Sequence, residues 1–350
     1  MSDNSRYLPV CPTCRRALDL PMTTRAYHYW GPMKKDLSFG PYLYLYEAMR
    51  KLSGMECYRF ECHGDSSLFG KADLHVESDW SPELHGVGEF QLPHPSLYWC
   101  WDHHLSEDSF AVRVAHAKNM DYVCSVHPNR ERLQLACGRP VTWLWQAAEP
   151  TLWKPVVEVE EKYDTGFIGT FTRNDDRINA LDTLCRAFPS SLVTLGWWAE
   201  EGVRQLHEFR VAFNYSAYPI ETGGTNLRTF EVMSAGRALV TNWTSDLKSL
   251  GFESGEHLLA YRTLDEGMDM IRWLLDHPGE RARMGLAARK KIIESHTYVH
   301  RAIEILSMFG KEVRLAPMDV AELATTDSFN IPQRPTKDLK RPAVVFDRQL

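Results

Sequence analysis

The chain has 350 residues, of which 44% are apolar and 25% charged, with a formal net charge of −6. This composition excludes a disordered chain, and the length fits two domains of roughly 100–200 residues each. The acidic balance argues against a polyanion-binding surface over the whole chain, and without a run of about 18 apolar residues no membrane-spanning helix is expected.

In chain order, Met1–Val10 is polar and lacks the apolar region of a signal peptide. A cytoplasmic location is therefore expected, with the eight cysteines as thiols or ligands rather than disulfides. Cys11-Pro-Thr-Cys14 has zinc-knuckle spacing, and Cys57 and Cys62 follow. Four such ligands can hold a structural zinc, but C-x4-C is a loose second pair, and free thiols are the favoured reading. Thr24–Trp30 reads as a strand. The loop after it carries Lys34 and Lys35, which either meet phosphate or an anionic acceptor or are simply solvated. Tyr42–Leu52 has helical spacing. Short strands follow at Cys57–Glu61, Leu74–Val76, Leu97–Trp101, Tyr122–Val126 and Val141–Trp145, with helices over Phe110–Ala117 and Asn129–Cys137. Alternating strands and helices indicate a parallel sheet covered on both faces.

Ala147–Lys162, with Pro150, Pro155, Glu158, Glu160 and Glu161, reads as a linker. A second alternation then begins. Gly166–Thr170, Leu192–Leu195, Val211–Tyr215, Ala238–Thr241 and His257–Tyr261 read as strands. Asp176–Phe188 and Asn226–Ala235 read as helices, the latter closed by Gly236. Leu264–Leu275, Gly279–Ser295 and Val299–Phe309 form three consecutive helical segments, and the tail from Ala316 is Pro-rich and weakly patterned. The architecture implied is two doubly wound halves, whose ligand crevices lie beyond the carboxyl ends of the strands and can face each other. The expected division is residues 1–150, a linker 151–162, a second domain 163–312, and a tail 313–350 that can pack back on the first domain.

The most informative segment is Glu221-Thr-Gly-Gly-Thr-Asn-Leu-Arg-Thr-Phe-Glu231 and its continuation to Val240. A glycine turn through Gly223, Gly224 and Thr225 opens a helix at Asn226. Free N–H groups at a helix start attract phosphate, and Arg228 adds positive charge there. A carboxylate at Glu231 can accept hydrogen bonds from paired ribose hydroxyls. The alternative is a plain turn with Glu231 solvated. A second candidate is Trp101-Asp102-His103-His104, which follows an apolar strand. Asp102 with His103 or His104 offers a base for an acceptor hydroxyl, or else Asp102 caps a helix beside two surface histidines. The aromatic side chains Trp30, Trp80, Trp99 and Trp101 either stack sugars or flipped bases, or belong to the core. Ser295-His296-Thr297 reads as a helix break, and Arg289-Lys290-Lys291 as a solvated face.

Residues 166–301 resemble the C-terminal domain of group 1 glycosyltransferases, and are most similar to the spore-maturation CgeB-like branch. The resemblance is carried by G-F-I-G-T at 166–170, N-L-R-T-F-E-V-M-S-A-G at 226–236, G-E-H-L-L-A-Y at 255–261 and E-S-H-T-Y-V-H-R-A at 294–302. The first half is similar more loosely, through L-Y-W-C-W-D-H-H at 97–104 and A-K-N-M-D-Y-V at 117–123. The resemblance implies the GT-B fold, two Rossmann-like doubly wound domains facing across a cleft. It implies that Glu231 contacts the donor ribose and that Gly169 lies beside the donor phosphates. Thr170, Arg173, Gly223, Gly224, Thr225, Asn226 and Arg228 complete the expected donor-binding set. Many retaining members carry a second glutamate eight positions before the first, where this chain has Gly223, with Glu221 two residues earlier.

The expected function is transfer of a sugar from a nucleotide-sugar donor to an acceptor hydroxyl on a polysaccharide, a protein or a hydroxylated nucleic-acid base, DNA among the candidate partners. The nucleotide sugar is a cosubstrate, no cofactor is required, and metal dependence is left open. The alternatives are a nucleotide-sugar epimerase or hydrolase on the same architecture, and a degenerate nucleotide-sugar-binding protein.

Overall fold

The computed structural model describes residues 24–30, 41–52, 55–61, 74–78, 94–101, 107–170, 175–194, 199–216, 224–310 and 317–325. The chain divides into two units, Met1–Trp145 with Tyr298–Leu323, and Gln146–Thr297 with Ala324–Leu350.

The first unit runs β1 (Thr24–Trp30), α1 (Pro41–Lys51), β2 (Met55–Glu61), β3 (Leu74–Ser78), β4 (Ser96–Cys100), α2 (Glu107–Lys118), β5 (Tyr122–Ser125), α3 (Glu131–Cys137) and β6 (Val141–Trp143). The strands pair in parallel in the order β2-β1-β3-β4-β5-β6. β3 and β4 are buried at every position, as expected for strands covered on both faces. Trp99 is fully buried, with its indole N–H donating to the Leu144 carbonyl at 3.0 Å, and it packs 4.8 Å from the ring of buried Trp101. Both rings therefore belong to the core.

One buried polar cluster lies at the amino edge of this sheet. Buried Asp121, just before β5, accepts from the Ser96 amide at 2.8 Å and pairs with His94 at 2.7 Å. Burial lowers the pKa of neighbouring His75 to about 4, with further help from His94. Deeper in the unit, His116 of α2 lies 3.2 Å from Glu77 of β3, and both are buried.

The second unit runs β7 (Tyr163–Ile168), α4 (Asp175–Ala187), β8 (Ser191–Thr194), α5 (Ala199–His207), β9 (Phe209–Asn214), α6 (Leu227–Ser234), β10 (Leu239–Asn242), β11 (Leu259–Tyr261), α7 (Leu264–Asp276) and α8 (Pro278–Ser295). Its parallel sheet has the order β11-β10-β9-β7-β8. In both units the first strand lies between the second and third, so the order in which strands are added reverses beside it and leaves a topological switch point. The core of the second unit is built on Phe167, Leu181, Val211, Phe213, Val240 and Ile271.

Glycine is required where α8 meets the turn after α6. Gly236 has φ 71°, and a Cβ on Gly285 would stand 2.1 Å from the Gly236 carbonyl oxygen. Helix α9 (Tyr298–Met308) follows α8 in sequence but lies in the first unit, where Tyr298 packs 5.3 Å from the Tyr44 ring of α1. A last helix, α10, covers Pro317–Thr325. No helix among the described residues is long and apolar enough to cross a membrane.

Candidate functional site

The site is built at the carboxyl edge of the second sheet. β9 and β10 each end in asparagine, Asn214 and Asn242, and both side chains are buried. Asn242 accepts from the Ser216 amide at 2.6 Å and donates to the Ser216 carbonyl at 3.2 Å, fixing the chain as it leaves β9. Ser216 in turn donates to the Gly224 carbonyl at 2.8 Å. Asn214 exchanges two hydrogen bonds with Asn226, each 3.1 Å, and also donates to the Thr241 hydroxyl at 3.0 Å. Asn226 is the N-cap of α6, its side chain accepting from the Thr229 amide. One orphan amide of the helix start is thus satisfied internally, while those of Leu227 and Arg228 have no intrahelical acceptor.

Asp246, four residues beyond β10, closes the turn from the other side. Its carboxylate accepts from the Thr225 amide at 2.8 Å and from the Thr225 hydroxyl at 2.7 Å. The Thr225 and Thr244 hydroxyls lie 3.0 Å apart. Burial raises the carboxyl pKa, and the bonds from Thr225 and Thr244 oppose that rise.

One turn into α6, the Arg228 guanidinium lies 2.9 Å from the Glu231 carboxylate, with side-chain exposures of 16% and 6%. The approach is a charge contact off the hydrogen-bonding axis, since Nη1 makes no aligned hydrogen bond there. Burial pushes the Glu231 carboxyl up to about 7, against the opposing pull of Arg228. Trp153 covers the other side of Arg228, its ring 4.9 Å from the guanidinium carbon. Trp153 is held in turn by Ser234 of α6, whose hydroxyl donates to the Trp153 carbonyl at 2.7 Å.

The structure brings much of the expected donor set to one edge. Gly169 and Thr170 lie at the carboxyl end of β7, where the Gly169 amide donates to the Thr194 carbonyl at 2.9 Å and Arg177 of α4 donates to the Thr170 carbonyl. Gly224, Thr225, Asn226, Arg228 and Glu231 form the turn and first turns of α6. The Thr225 and Thr229 amides already have protein acceptors, so this helix start is less open than a bare glycine turn implies. Glu231 is buried and paired rather than solvated.

Arg173, Glu221, Gly223, Lys34, Lys35, Trp80, Asp102, His103 and His104 lie outside the described residues, as do Cys11, Cys14, Cys62 and the side chains of Trp30 and Cys57. Among the described residues no group of three or more His, Cys, Asp or Glu is placed to hold a metal ion.

Two expectations are corrected or settled by packing. Arg289 is not a solvated residue but turns inward to the Ser234 and Trp153 carbonyls, because α8 presses against α6 there. His296 is structural. It lies buried 4.8 Å from the Phe252 ring and hydrogen-bonds the Leu250 carbonyl at 2.8 Å.

Sequence reasoning missed Asn214, Asn242, Asp246 and Trp153. The one local signal was asparagine at the end of two apolar strands, V-A-F-N and L-V-T-N.

Two doubly wound parallel-sheet units, with the chain returning to the first, have the GT-B fold of glycosyltransferases. Solved structures agree on the fold. An alpha-glucosyltransferase in complex with UDP-glucose and DNA containing an abasic site is 10% identical, covering 82% of this chain and 100% of that one, with a TM-score of 0.59. HepE of Anabaena, in complex with UDP and glucose, is 11% identical over 83% of this chain and 100% of its own, with a TM-score of 0.58. Sucrose-phosphate synthase of Thermosynechococcus elongatus is 12% identical over 82% and 98%, with a TM-score of 0.54. In sequence, residues 180–307 match a glycosyl transferase-like family, and this stretch includes the turn, α6 and Asp246. No curated protein sequence matches the chain.

Proposed function

We propose that the protein is a glycosyltransferase that moves a sugar, most simply a hexose, from a nucleoside-diphosphate sugar to an acceptor hydroxyl. The observation that carries this reading is the pair of half-buried Arg228 with buried Glu231, one turn inside a helix that opens at the carboxyl edge of the sheet. The Leu227 and Arg228 amides and the Arg228 guanidinium would meet the diphosphate, and ionised Glu231 would accept from the ribose hydroxyls. Gly169 and Thr170, with Arg173 and the Gly223–Gly224 turn, complete the proposed donor-binding set.

In the reaction, the acceptor oxygen bonds to the anomeric carbon as the bond from that carbon to the diphosphate oxygen breaks. Arg228 and the helix amides stabilise the charge that gathers on the leaving diphosphate. The acceptor proton passes to a base, for which Asp102, His103 and His104 are the proposed source. Uridine is the first nucleotide to test, because UDP or UDP-glucose is bound in two of the structural relatives. A hydroxylated base in nucleic acid is among the proposed acceptors, alongside polysaccharide and protein.

The test is a thermal-shift screen against nucleotide sugars, followed by product analysis with and without acceptors. A donor that stabilises the protein and yields a glycosylated product is expected. Free sugar released at the same rate with every acceptor would mean a hydrolase, and an epimerised donor an epimerase.

A further inference from the structure

We infer that Asp246 is a positioning residue for the donor diphosphate, holding in place the turn that presents the start of α6. The inference rests on the donor-site reading above and concerns a residue outside the turn and helix that form that site.

The turn from Gly224 to Asn226 has to deliver α6 in one orientation for its first amides and Arg228 to converge on a phosphate. Asn214 anchors one end of that turn through two bonds to Asn226, each 3.1 Å. The other end is anchored by Asp246 alone among the described carboxylates, through the amide and hydroxyl of Thr225 at 2.8 and 2.7 Å. Asp246 is 2% exposed and Thr225 6% exposed, so water does not substitute for either partner. A carboxylate taken out of water is costly unless its bonds repay the loss. Here those bonds fix a main-chain amide one residue before a helix N-cap. A packing role alone would be filled at less cost by an apolar side chain. An amide side chain at this position keeps the geometry, with its oxygen facing the Thr225 amide and its N–H₂ donating to the Thr225 hydroxyl.

The experiment measures affinity for uridine, guanosine and adenosine diphosphates, and for the matching nucleosides, in the full-length protein and three variants. Asp246→Ala is expected to weaken diphosphate binding about tenfold or more, the scale of losing bonds to a charged group. Nucleoside affinity should fall much less, because the first amides and Arg228 adjoin the turn whereas Glu231 lies further along α6. Asp246→Asn should retain most diphosphate affinity. Thr225→Val, which removes the hydroxyl and keeps the amide, should give an intermediate loss and serves if Asp246→Ala does not fold. Unchanged diphosphate affinity in Asp246→Ala or in Thr225→Val overturns the inference and leaves the donor site standing. Equal loss of nucleoside and diphosphate also overturns it, since that marks general damage. A wild-type protein that binds none of the diphosphates removes the donor-site reading and the inference with it.

Discussion

The two sheets share a strand order, and a polar cluster at the amino edge of the first can be set against one at the carboxyl edge of the second. In the first unit, the described network of His94, Ser96 and Asp121 lies at the amino edge, before β4 and β5. In the second, Asn214, Ser216, Thr225, Asn242 and Asp246 lie at the carboxyl edge, after β9 and β10. Ligands of doubly wound sheets bind beyond the carboxyl ends, so identical hydrogen-bond chemistry serves different ends. At the amino edge it satisfies buried groups and contributes stability. At the carboxyl edge it shapes the start of α6, the proposed donor-binding element. The difference teaches that a buried polar cluster gains a functional meaning from the edge it occupies rather than from its composition.

The largest expected effect separates catalysis from binding. Asp102→Asn or His104→Ala should lower turnover by about 10²-fold or more, the low end of general-base assistance, with donor affinity unchanged. Steady-state kinetics beside calorimetry checks this, and near-normal turnover in both variants removes the proposed base. Glu231→Gln should act the other way, weakening nucleoside diphosphate binding about 10- to 100-fold through lost bonds to a charged group. Normal affinity in that variant contradicts the ribose role.

The amino edge should respond in stability alone. Asp121→Ala leaves the Ser96 amide and His94 without their acceptor and should cost about 1–3 kcal/mol, read from denaturant unfolding. Its donor affinity should match wild type, and a loss there would break the contrast between the edges.

The smallest effect is in pH. With the Glu231 carboxyl pushed up to about 7, ribose hydroxyls that favour the ionised form should bind about tenfold more weakly at pH 6 than at pH 8. Folding shows the opposite trend. A carboxyl raised from its ordinary value of 4.5 holds its proton more tightly when folded, so its contribution favours the native state most below pH 4.5 and fades as pH rises through about 7. Glu231→Gln should flatten both profiles, and unchanged profiles would place the titration elsewhere.

Much of this was legible in the sequence. Strand–helix alternation implies two parallel sheets, as found, and the expected helix Asn226–Ala235 with its Gly236 end matches α6 and the positive φ of Gly236. Helix α5 escaped because it is short, holds Gly202 in its interior and, among its described side chains, has Val203 and Leu206 as the buried aliphatic positions. Helix α10 was hidden in a Pro-rich tail, although its first residue is a proline, which suits a helix start. The sequence placed 299–309 as a third consecutive helix, and its periodicity carries no information on which sheet it covers. Trp153 and Glu161 read as linker residues. Packing sets Trp153 over Arg228 and pairs Glu161 with Arg237 and Arg281, at 2.6 and 3.3 Å. Asp246 was invisible for a similar reason, because its partner Thr225 is 21 residues away and only the fold joins them.

Hydrogen exchange with and without a nucleoside diphosphate that binds tests the central claim most directly. Amides of residues 224–234 and 239–246 should gain protection, while those of residues 94–100 and 120–125 exchange as before. Protection confined to the first unit, or spread equally over both edges, would contradict the assignment of the donor to the carboxyl edge of the second sheet.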